Sequence, residues 1–81
     1  MIEQIQQVKN RREAHLLTLP NVVGVGIGLK ETGGEFTDQL AIVVNVRRKK
    51  PLAELAPQDV VPPEIDGVIT DVQEVGDLKP I

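Results

Sequence analysis

Gly24, Gly26 and Gly28 recur at two-residue intervals and are the first residues in this chain that could serve chemistry. Glycines let a backbone close on a phosphate, so Gly24-Val25-Gly26-Ile27-Gly28 invites a nucleotide reading. The dinucleotide fingerprint needs its third glycine one place later, where this chain has Leu29, and a strand-to-helix turn around it. Here the glycines lie inside an alternating apolar run, and no Gly-Lys-Ser or Gly-Lys-Thr occurs. The phosphate-loop reading fails. Glycine within a strand commonly marks close approach by another backbone or a ligand. Two occupants suit that face: the amino-terminal helix of the same chain, or a docked domain or protomer.

The second candidate is the consecutive cluster Arg47, Arg48, Lys49 and Lys50. Four cations in a row can meet an acidic partner, a phosphate or a membrane surface. At a strand end before Pro51, such a run more commonly keeps a sheet edge solvated and unpaired. Single-stranded nucleic acid is a poor fit, because no aromatic residue nearby can stack on a base.

Covalent catalysis needs a nucleophile beside a base. The chain has neither Ser nor Cys, leaving Thr18, Thr32, Thr37 and Thr70 with the single His15. No spacing among them resembles a catalytic pair, so a hydrolase using His15 ranks last among the function classes. Metal binding fares no better, since one histidine and scattered carboxylates have no ligand spacing. Asp66 and Asp71 could share a cation across a turn, but acidic turn residues usually serve the local backbone. The reading is a non-enzyme with no cofactor and no metal.

Composition narrows the partners. The net charge of −3 opposes general nucleic-acid binding, which draws on a positive surface. No stretch reaches the roughly 20 apolar residues of a membrane span, and the polar amino terminus is unlike a signal peptide. A cytoplasmic protein is the expectation. Without cysteine, neither disulfides nor thiolate zinc can staple the fold. Phe36 is the only aromatic residue, so the core must be built from Val, Ile and Leu.

Alternation supplies the elements that position these candidates. From Val22 to Lys30, residues Val23, Val25, Ile27 and Leu29 share one side; from Leu40 to Val46, so do Leu40, Ile42, Val44 and Val46. A period of two places them on one face of each strand. The polar segment from Glu31 to Asp38, with its Gly33-Gly34 pair, predicts a hairpin connection. Before the strands, residues from about Ile2 to Leu17 predict an amphipathic helix. Its stripe of Ile2, Ile5, Val8, Leu16 and Leu19 is interrupted at Arg12, and Pro20-Asn21 ends it. Pro51, Pro57, Pro62 and Pro63 mark a semi-rigid connection that starts with a short helical turn near Leu52. Asp66-Gly67 predicts a turn, and Val68 to Val75 a third strand with the partial alternation of an edge.

These pieces in order resemble a known domain. Leu19-Pro20-Asn21-Val22-Val23-Gly24-Val25-Gly26-Ile27-Gly28-Leu29-Lys30, then Ala41-Ile42-Val43-Val44 and Lys49-Lys50-Pro51 form the first part. Val61-Pro62-Pro63-Glu64-Ile65-Asp66-Gly67-Val68 and Thr70-Asp71-Val72 complete it. The set, covering Leu19 to Gly76, resembles a small amino-terminal domain that precedes trypsin-like (chymotrypsin-fold) serine peptidase domains in bacterial proteins. The resemblance implies a peptidase domain after Gly76, or else a domain that is released or stands alone. No His/Asp/Ser triad is present to carry over.

The expectation is therefore a single α+β domain over residues 1–76, with residues 77–81 a tail or the start of a linker. An amino-terminal helix would pack on a small, mainly antiparallel three-stranded sheet in the order α-β-β-short helix-β. The expected role is a non-catalytic, prodomain-like interaction module for a trypsin-like peptidase, acting through Gly24, Gly26 and Gly28 or the basic cluster. The alternative is a stand-alone structural protein that forms a homo-oligomer. Partners would be protein, either the peptidase domain or a second copy, with no nucleic acid and no membrane.

Overall fold

The structure is a computed structural model that describes residues 2–76; the tail expected over 77–81 lies outside the described residues. Helix α1 (Ile2–Leu17) opens the chain and buries Ile5, Val8 and Leu16, with Leu19 continuing the stripe beyond the helix end. Arg12, which breaks that stripe, donates to both carboxylate oxygens of Asp66 at 3.2 and 3.3 Å. The polar residue thus ties the helix to a distant turn. Its last turn closes with the backbone N–H groups of Thr18 and Leu19 donating to the carbonyls of His15 and Leu16.

Strands β1 (Val22–Thr32) and β2 (Glu35–Val46) form a long antiparallel hairpin. The polar connection expected from Glu31 to Asp38 shrinks to Gly33 and Gly34. Their φ values of 59° and 83° meet the need of a type I′ turn for positive φ at both central residues. Pairing therefore extends to Thr32 and Glu35. After β2, two 3-10 turns (Leu52–Glu54 and Pro57–Asp59) punctuate the proline-rich connection. A two-residue strand, β3 (Glu64–Ile65), then leads through Asp66-Gly67 into β4 (Val68–Glu74). Asp66 and Gly67, at φ 50° and 82°, make a second turn of the same kind.

The strand order is β1-β2-β4-β3. The α+β class with an amino-terminal helix holds, while the three-stranded, mainly antiparallel sheet is corrected to a four-stranded mixed one. β2 and β4 run parallel, pairing Ile42 with Thr70 through Val46 with Glu74. Parallel neighbours need a crossover of a dozen or more residues, and the proline segment provides it. The last long strand has the edge character expected of it over most of its length, because β3 pairs only with Val68 and Ile69 at its start.

One face of the sheet carries the core. Ile42, Val44 and Val46 of β2 and Val68 of β4 meet Ile5, Val8, Leu16 and Leu19, with Val22, Val25 and Ile27 of β1 packed alongside. Val22 takes the place expected for Val23. The register shifts between Val22 and Gly24, so β1 has one residue more than β2 there, and the alternation slips by one position. A second irregularity follows Leu29, where the Thr37 hydroxyl donates to the Lys30 carbonyl at 2.9 Å.

Candidate docking surface

The register settles where the glycines point. Gly24, Gly26 and Gly28 pair with Asn45, Val43 and Ala41, while Val25 and Ile27 pair with Val44 and Ile42 of the core. Opposed residues of paired strands share a face. The glycines therefore line the face turned away from α1, and the helix is not their occupant.

That face is closed at one end by polar side chains. From β4, Asp71 accepts the backbone N–H of Glu31 at 2.8 Å and the Gln73 amide at 3.0 Å. The same Gln73 amide nitrogen donates to the Leu29 carbonyl at 3.2 Å. These bonds join β4 to β1 across the intervening β2, and beneath them Ala41 is fully buried and Val43 is 7% exposed. The Lys30 ammonium lies 3.9 Å from the other Asp71 oxygen, balancing a carboxylate that is largely removed from water.

Beside this bridge the face stays open. A groove of about 250 Å³ is lined by Gly26, Gly28, Val43, Asn45, Gln73 and Phe36. Gly24 lies outside its lining, and the other two glycines are not equivalent in it. A Cβ on Gly26 would meet nothing within 4 Å, whereas one on Gly28 would sit 3.2 Å from Val43 Cγ2. Gly28 is required by packing. Gly26 leaves space. Phe36, at 66% exposure, stands at the groove lip. Its role was not legible from the sequence beyond its being the sole aromatic. A large exposed aromatic beside an open groove that also presents the Asn45 and Gln73 amides has the character of interface anchors. β1 is also an edge strand, and among the described residues no strand pairs with its outer side.

The basic cluster lies elsewhere. Its residues follow β2, an interior strand, so they cannot be shielding a sheet edge as expected. Asn21, in the left-handed region at φ 76°, holds their backbone: its Oδ1 accepts the Arg48 N–H at 3.1 Å, its amide donates to the Arg48 carbonyl, and its own carbonyl accepts the Arg47 N–H. Glu74 accepts the Lys49 N–H at 2.8 Å. The glycine groove contains none of the four cations, so the two sets of candidate residues form two separate surfaces.

The remaining candidates disperse. His15 is exposed on α1, and the Thr18 hydroxyl donates to its backbone carbonyl at 2.6 Å rather than to its ring. The Thr70 hydroxyl is spent on the Pro62 carbonyl. Asp66 pairs with Arg11 and Arg12, and Asp71 with Lys30, so the two acids serve different contacts. Among the described residues no three His, Asp or Glu side chains gather to hold a metal ion, and no helix is long and apolar enough to cross a membrane. No protein-family model matches this chain, and no curated protein matches it either.

Proposed function

We propose that this chain is a non-catalytic accessory domain that docks onto a trypsin-like serine peptidase domain through the glycine face of β1. The observation that carries the reading is the groove at Gly26, which α1 leaves uncovered and Phe36 flanks. The adjoining edge of β1 adds backbone groups that can pair with an extended segment, so strand addition and side-chain insertion can act together. The peptidase as partner rests on the resemblance from Leu19 to Gly76.

The test starts from the parent gene. Sequencing beyond the codon for Ile81 should find a trypsin-like domain with its own triad, in this gene or one adjoining it. That domain and this chain, expressed as separate polypeptides, should co-elute in size exclusion. Gly26→Leu should abolish the co-elution while the free domain keeps its circular dichroism, since the space at Gly26 admits a side chain. Undiminished association of that variant would eliminate the glycine face.

A second reading is self-association through β1. This edge strand is eleven residues long, with neither proline nor charge before Lys30, and so lacks the usual protection against edge pairing. Light scattering separates the two: a stable multimer of the isolated chain favours this reading.

A further inference from the structure

A second groove, on the other side of the molecule's chemistry, has a chemical character of its own. It lies where the Pro20–Val22 turn, the end of β2 and the proline-rich connection meet, and holds about 190 Å³. Val22, Val46, Leu55, Val60 and Val72 give it an aliphatic lining. Arg48, Lys49 and Lys50 line its rim, against Asp59 as the single acid. Among the described residues no carboxylate lies within ion-pair distance of these three cations.

The rim is also held in place. Asn21 and Glu74 fix the backbone of Arg48 and Lys49 from separate elements, through the bonds described above. A prearranged backbone lowers the ordering cost that a partner must offset. Because β2 is interior to the sheet, protection of an edge does not account for four cations at its end.

We infer that this groove binds an acidic peptide segment in which an aliphatic side chain lies next to carboxylates. The aliphatic residue would enter between the valines, and its neighbouring carboxylates would meet the cationic rim. Nucleic acid suits the groove less well: its walls hold no aromatic side chain to stack on a base, and the chain as a whole is anionic.

Fluorescence anisotropy on the full 81-residue chain provides the test. The probe is a fluorescein-labelled short peptide of alternating Glu and Leu, at low ionic strength. Saturable binding is expected, weakened roughly tenfold or more by the double substitution Lys49→Glu/Lys50→Glu. Val60→Asp should weaken it as well, and Gly26→Leu should not, which keeps this groove distinct from the glycine face. Should Val60→Asp fail to fold by circular dichroism, the exposed lysine pair still decides the matter. The inference is overturned if the charge reversal leaves binding unchanged, or if an all-Glu peptide binds equally well. It is also overturned if oligo-dT or phosphatidylserine vesicles bind more tightly than the peptide.

Discussion

From Ala41 to Val44, β2 is buried on both faces, by opposite means. Toward α1, Ile42, Val44 and Val46 are closed in by aliphatic side chains from the helix and its neighbouring strands. Away from α1, Ala41 and Val43 are covered by side chains of β4 bonded to the backbone of β1, Asp71 accepting from it and Gln73 donating to it. The first closure is spread over many residues and is nondirectional. The second depends on a few bonds, with one carboxylate at their centre. A small domain with one helix has only one helix face to offer, and here a polar bridge closes part of the other side. What the bridge leaves uncovered is the groove at Gly26.

The contrast predicts a graded series. Ile42→Ala removes a fully buried side chain from the helix face and should cost about 3 kcal/mol, enough to unfold much of a marginal domain in urea titration. Asp71→Ala should cost about 1 kcal/mol, because it strips a part-buried N–H and an amide of their acceptor. Asp71→Asn should recover much of that loss, since an amide oxygen can still accept from Glu31. Equal stability of wild type and Asp71→Ala would mean that the polar bridge contributes nothing to the fold, and the comparison would break.

The glycines sharpen it further. Gly28→Val should destabilise by about 1 kcal/mol through crowding against Val43. Gly26→Val should stay within about 0.5 kcal/mol of wild type, and its higher strand propensity can offset any loss of solvation. If thermal melts rank the two the other way round, Gly26 is a packing residue and the groove is smaller than drawn.

Much of the helix and the hairpin was legible in advance because the signals are local. Alternation from Val22 to Val46 marks the two strands, and the spacing of Ile5, Val8 and Leu16 marks the helix face. The slip at Val23 was not legible: a bulge adds one residue without changing composition, and only pairing with β2 reveals it. The candidate surfaces divide in the same way. Gly24, Gly26 and Gly28 stand out by their period, but the hold on the basic cluster comes from Asn21 and Glu74, 27 and 25 residues distant. Phe36 sits in what reads as a polar loop until the Gly33-Gly34 turn tightens and draws it into β2.

By itself the sequence determined that this chain forms one helix followed by a glycine-faced hairpin, and that it has no residues spaced for a nucleotide loop. Periodicity and turn chemistry act between near neighbours, so one chain suffices to read them. Only the tertiary structure decided which face of the sheet α1 covers, that β4 runs parallel beside β2, and that the cations rim a groove rather than an edge. β2 is apolar on both faces from Leu40 to Val44, and either face could have received the helix. The choice rests on contacts between residues far apart in the chain, where local pattern carries no information.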